Sequence, residues 1–184
     1  GGFPIQYSVD GFDPSDVEFP SGESYESFLS LPFLQDTPKR NVVMCGKPGT
    51  GKSMLSIILG QEACDRGIPT RFFRTTDLVD LLEENGIKAV TRMLDKVQLL
   101  ILDEFGYVPY SLSGSRLLFN LVSSFQGKKS IILNTYNEFS KWVDILGDDR
   151  LAASFSGKVV DNGYLILFRG QDRRFDSLHR QEAP

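Results

Sequence analysis

Gly46-Lys47-Pro48-Gly49-Thr50-Gly51-Lys52-Ser53 is the stretch on which the reading of this chain turns. It follows a short apolar segment, Asn41-Val42-Val43-Met44-Cys45, and opens an apolar-periodic one, Met54-Leu55-Ser56-Ile57-Ile58-Leu59. Strand, glycine-rich turn and helix form the context that separates a working phosphate loop from a chance match to the same pattern. Glycines at 46, 49 and 51 let the backbone turn tightly and aim successive N–H groups inward at phosphate oxygens. Lys52 is placed to reach the β- and γ-phosphates, and the Ser53 hydroxyl to hold Mg²⁺. The helix that begins there adds the positive end of its dipole. The candidate cradle is therefore Gly46, Pro48, Gly49, Thr50, Gly51, Lys52, Ser53 and Met54, and its ligand is a nucleoside triphosphate.

A second element completes such a site. Leu99-Leu100-Ile101-Leu102 is a short aliphatic run ending in Asp103-Glu104. Adjacent side chains on a strand point to opposite faces, so the two acids have different tasks. Asp103 is expected to bind Mg²⁺ through water beside Ser53. Glu104 is expected to orient or deprotonate the water that attacks the γ-phosphate. A kinase that hands its phosphoryl group to a bound acceptor has less need of that second acid, and no acceptor-binding signature stands out.

The rest of the chain reads as one α/β unit. Strands are expected at 41–45, 71–74, 98–102, 130–134 and 164–168, the third and fourth as short continuous apolar runs suited to a sheet covered on both faces. Helices are expected over Ser53–Arg66, Asp77–Glu84 and Leu112–Gln126, each closed by a glycine at 67, 86 or 127. This alternation predicts a three-layer α/β fold with a five-stranded, mainly parallel sheet, its phosphate site at the carboxyl ends of the strands. Residues 1–37, rich in Gly, Pro, Ser, Asp and Phe, read as a lead-in arm packed on the core, with one short helix within 23–33. The ATPase unit is expected over 38–175 and a polar tail over 176–184.

At 184 residues the chain has the size of one domain. A net charge of −4 argues against a basic nucleic-acid surface over the whole molecule. Local cations at Arg71, Arg74, Lys128 and Lys129 are candidates for DNA phosphate contacts, or a solvated edge. No apolar run reaches the ~20 residues of a membrane span and no secretory signal opens the chain. Cys45 and Cys64 are expected to be reduced core thiols of a cytoplasmic protein. One histidine, His179, and two distant cysteines assemble no transition-metal cluster. Trp142, Val143, Ile145 and Leu146 recur at helical spacing and read as core, and Phe105 and Tyr107 as local packing or a surface that senses a neighbour.

Asn41–Ser53, Gly67–Leu78 and Leu100 through Asp103-Glu104-Phe105-Gly106-Tyr107 resemble the IstB/DnaC-like branch of the AAA+ ATPases, as does Phe139-Ser140-Lys141-Trp142. The pattern is more similar to IstB, the ATPase partner of an insertion-sequence transposase, than to DnaC, the replicative helicase loader. The resemblance implies an AAA+ core, ATP and Mg²⁺ as cofactors, assembly of several copies on ATP and DNA, and a transposase or replicative helicase as partner. It also implies an N-terminal DNA- or partner-binding domain, of which nothing is evident here. It carries residue by residue onto further positions. Tyr136 falls on the family's polar sensor, flanked by Asn134 and Asn137, and Asn134 substitutes if the strand end shifts. Lys158, in Gly157-Lys158-Val159, falls on the arginine finger that completes a neighbour's site, with Arg150 as the alternative. Arg174 falls on the sensor arginine that reaches the γ-phosphate from within the same chain. A lysine carries the finger's charge but lacks its planar fork, so slow hydrolysis is expected, with nucleotide serving mainly to order an oligomer.

Overall fold

The computed structural model describes residues 1–136, 138–161 and 163–174. Asn137, His179 and the polar tail therefore lie outside the described residues. In chain order the elements are β1 (Val17–Glu18), α1 (Tyr25–Phe28), α2 (Pro32–Gln35), β2 (Asn41–Gly46), α3 (Lys52–Asp65), β3 (Thr70–Arg74) and α4 (Thr75–Met93). They continue with β4 (Leu99–Phe105), α5 (Leu112–Phe125), β5 (Ser130–Thr135), α6 (Trp142–Leu146), α7 (Asp149–Val160) and β6 (Gly163–Phe168). The strands form one sheet in the order β1-β6-β2-β5-β4-β3.

All five expected strands are present and pair in parallel. The sheet has six strands rather than five, because Val17 and Glu18 add an antiparallel edge against Phe168 and Leu167. Two residues are too few to show a period of two, so nothing in the sequence marks them as a strand.

Strand alternation divides the interior into two cores. Leu100 and Leu102 of β4, Val43 of β2, and Ile131 and Leu133 of β5 face α4, α5, α6 and α7. Leu99 and Ile101, Val42 and Met44, and Ile132 face the opposite layer. That second layer pairs α3 with the N-terminal segment, whose Phe12, Tyr25, Phe28, Leu31, Phe33 and Leu34 are buried beside Leu55, Ile58 and Leu59. Continuous apolar strands are what a sheet covered on both faces requires.

Two helices differ from expectation for local reasons. The single helix expected within 23–33 is two short ones separated at Leu31, which sits at φ 60, ψ 54. Pro32 has no N–H to continue a helix and disfavours helical geometry in the residue before it. The helix expected to close at Gly86 does break there, at φ 80, ψ 159, but helical geometry resumes and runs to Met93. Cys45 is half buried, whereas Cys64 is exposed on the outer side of α3, so it is not a core thiol. Among the described residues no helix is long and apolar enough to cross a membrane.

Candidate functional site

The glycine loop leaves the end of β2 and enters α3, as its sequence requires. Gly49 and Gly51 have φ of 73° and 105°, a backbone region that L side chains rarely adopt. Thr50 is buried, and its hydroxyl donates to Lys47 O at 2.7 Å, pinning the turn. Lys52, 9% exposed, donates its ammonium to Gly46 O at 2.6 Å and Lys47 O at 2.8 Å. Burial disfavours its charge and brings its pKa down to about 8, while Asp103 pushes the other way.

The acid-tipped strand β4 meets this loop across β5. The Ser53 hydroxyl lies 2.9 Å from both carboxylate oxygens of Asp103. A hydroxyl and a carboxylate are hard oxygen donors, the type that Mg²⁺ takes while keeping several waters, so this pair fits the ion. Asp103 is held from two further sides. Asn134 Nδ2 donates to its Oδ1 at 2.9 Å, and Thr75 Oγ1 donates to its backbone oxygen at 2.8 Å. Asn134 also donates to Ser56 Oγ at 2.8 Å, and Ser56 in turn to Ser53 O at 3.0 Å. Ser53 and Asp103 are thus tied into one hydrogen-bonded network spanning α3, β4 and β5.

Glu104 projects the other way. The β4–β5 pairing shifts register between Leu102 and Phe105, and Glu104 takes φ 55. Its carboxylate is half exposed and stands 4.0 Å from Arg74 Nε, an open and weak ion pair. Phe105 returns to the interior, stacking on Phe155 at 5.2 Å and meeting Trp142 edge-on at 4.9 Å. The loop that follows is clamped by two tyrosines. Tyr110 OH accepts from Gly106 N at 3.0 Å, and Tyr136 OH lies 3.1 and 3.2 Å from the Gly106 and Tyr107 oxygens. Burial drives the Tyr110 pKa up to about 12.

These groups surround a cleft of about 660 Å³. Pro48, Gly49, Gly51, Lys52, Ser53 and Met54 line it on one side, Asp103, Glu104, Asn134 and Tyr136 on another, and Arg173 and Arg174 on a third. Tyr7 and Phe12 of the N-terminal segment also line it. Sequence reasoning missed them, since their placement depends on distant partners. Tyr7 N donates to Gln61 Oε1 at 2.9 Å while Gln61 Nε2 donates to Tyr7 O at 2.7 Å. Asn134, rather than Tyr136, is the polar residue against Asp103.

Other candidates lie elsewhere. Lys158 is on the last turn of α7, where its backbone oxygen accepts from Asn41 Nδ2 at 3.3 Å, at the end of β2 opposite the glycine loop. Arg150 is exposed in the first turn of the same helix. Lys129 is occupied internally, donating to Leu94 O at 2.7 Å and to Asp95 O. Lys128 and Arg71 are exposed.

A glycine loop on an inner strand of a parallel sheet, facing a second strand tipped by two acids, defines a P-loop protein of the AAA+ type. Solved structures of that type share the fold. The DnaC helicase loader superposes with a TM-score of 0.64 at 18% identity, covering 87% of this chain and 95% of its own. DnaA bound to AMPPCP and single-stranded DNA gives 0.65 at 21%, covering 95% of this chain and 54% of its own. Residues 3–181 match the family described as IstB-like ATP binding protein, and the chain belongs to it. A protein named for insertion sequence IS232 of Bacillus thuringiensis subsp. berliner is 30% identical over 186 residues, spanning 99% of this chain and 74% of its own length. One named for IS5376 of Geobacillus stearothermophilus is 28% identical, spanning 97% and 72%. Both are named as ATP-binding proteins of their insertion sequences.

Proposed function

We propose that this chain binds Mg-ATP in the cleft, hydrolyses it slowly, and uses the bound nucleotide to order copies of itself on DNA in the service of a transposase. The observation that carries the reading is Ser53 Oγ at 2.9 Å from both oxygens of Asp103, directly beneath the glycine loop. Those two side chains would hold the metal, which when bound neutralises charge on the transferring phosphoryl group. Lys52 and the loop amides bind the phosphates, Glu104 takes or orients the proton of the attacking water, and Arg174 steadies the γ-phosphate. Glu104 lines the cleft, and its weak pair with Arg74, at 4.0 Å, is one that a water could replace.

Slow turnover follows from one position. Lys158 offers a neighbour's site a point charge where a guanidinium fork contributes about 10³–10⁵ in rate. The insertion-sequence relatives support the transposase as partner, and the DnaA structure with single-stranded DNA supports DNA as the scaffold. Like the DNA scaffold, a helicase-loader role draws on likeness of fold. Arg71, Arg74 and Lys128 are exposed and are the cations we assign to DNA phosphates.

Calorimetric titration of Mg-ATP tests the site: wild type binds, and Lys52→Ala loses binding. Unchanged affinity in that variant refutes the cradle. Hydrolysis measured on the DNA-bound assembly should fall to background in Glu104→Gln. Co-purification with a replicative helicase instead of a transposase would replace the partner.

A further inference from the structure

The segment that follows β6 is laced to the N-terminal segment and to the glycine loop. Arg169 N donates to Asp16 O at 2.8 Å, and Arg173 Nη1 donates to Asp13 O at 3.1 Å, with Nη2 3.6 Å from Asp16 Oδ2. Arg173 N donates to Gly49 O at 2.9 Å. This lacing sets the Asp172 carboxylate against Gly49. A Cβ built on that glycine would collide with Asp172 Oδ1 and Cγ, and would stand 2.8 Å from Arg174 Nε. The same carboxylate grips Arg174. Nε donates to Oδ1 at 2.8 Å and lies 3.0 Å from Oδ2, Nη2 pairs with Oδ2, and the Arg174 backbone N donates to Oδ1 at 3.0 Å. Arg174 lines the cleft, and its charge is among the influences that lower the Lys52 pKa.

A guanidinium fork accepts a carboxylate or a phosphate with the same two-pronged geometry. The triphosphate tail and Asp172 therefore seek one partner, beside one glycine. We infer that Asp172 is the nucleotide's internal rival for Arg174: it holds the guanidinium against the glycine loop and sets triphosphate affinity by how readily it lets go. The inference rests on the reading of the cleft as a nucleoside-triphosphate site. Its hydrogen bonds from Arg174 hold the Asp172 carboxyl down at about 2, so the rival stays ionised at every pH at which the protein would be assayed.

Asp172→Asn removes the charge and keeps the shape, and Asp172→Ser keeps only a short acceptor. Mg-ATP is titrated into the full chain at low salt for wild type, both Asp172 variants, Arg174→Gln and the double variant Asp172→Asn/Arg174→Gln, with melting curves to confirm folding. Both Asp172 variants should bind about two- to fivefold more tightly, the scale of one exposed ion pair. The gain should vanish in the Arg174→Gln background. Equal or weaker binding by the folded Asp172 variants, with wild type still binding, overturns the rivalry and leaves the site intact. A gain that persists without Arg174 also overturns it. No binding by wild type removes the nucleotide site itself, and the inference with it.

Discussion

Lys52 shows how a single residue can be both legible and altered by its setting. Its place after Gly51 is what leads us to propose phosphate as the partner of its ammonium, but its burial against the Gly46 and Lys47 carbonyls has no mark in the sequence. The consequence is a protonation change near neutrality. The folded pKa of about 8 lies below the ordinary 10.5. The native state therefore disfavours the charged form, a cost present in full below about pH 8 and relieved as pH rises towards the unfolded value. A bound polyphosphate restores the charge, so Mg-ATP binding near pH 8 to 9 should take up a proton. Calorimetry in buffers of different ionisation enthalpy reads that uptake directly, and affinity should decline above pH 8. Asn134 and Tyr136 mark the limit of sequence register at this scale. They are two positions apart and both polar, and only the end of β5 decides that Asn134 faces Asp103 while Tyr136 caps the loop beyond it. Asn134→Ala should cut hydrolysis more than it weakens ATP binding, as measured by turnover against titration, because the cradle's own contacts remain.

At the scale of elements, the strands were the legible part. The apolar runs of β2, β4, β5 and β6 are long enough for their composition to name them, β3 offers only Phe72 and Phe73 between two arginines, and the glycine loop fixes where β2 stops. The less legible pieces were short or broken. The break at Gly86 could be foreseen, but not the helical turns after it. The two-residue β1 owes its existence to β6 rather than to its own sequence. β4 also owes its working end to a neighbour, since Thr75, at the start of α4, ties the Asp103 carbonyl from a fully buried position. Thr75→Val keeps the shape and removes that donor. Leaving a buried carbonyl unsatisfied costs about 1–3 kcal/mol, so denaturant unfolding should show a loss of that size, with weaker magnesium dependence of ATP binding.

Across the whole molecule, the N-terminal segment is structural rather than ornamental. Phe28 is fully buried, 5.5 Å from Phe19, 6.1 Å from Phe33 and edge-on to Tyr164 at 5.4 Å. Truncating so large a buried ring costs about 3–5 kcal/mol. Phe28→Ala should therefore lower the unfolding midpoint sharply, and also weaken ATP binding, since the same segment brings Tyr7 and Phe12 to the cleft. Its phenylalanines were visible in the sequence, but only the second face of the sheet explains what they cover.

The strand order has a temporal consequence. Met44, two residues before the glycine loop, lies between Asn134 and Ile166 in the sheet. During synthesis the phosphate-binding loop thus leaves the ribosome before either strand that flanks its own, with β3, α4, β4 and α5 still to be made between it and β5. Such distant pairings are slow to close. A nascent chain halted before β5 would carry the whole glycine motif with neither neighbour of β2 in place, so nucleotide could not serve as a template until those strands arrive.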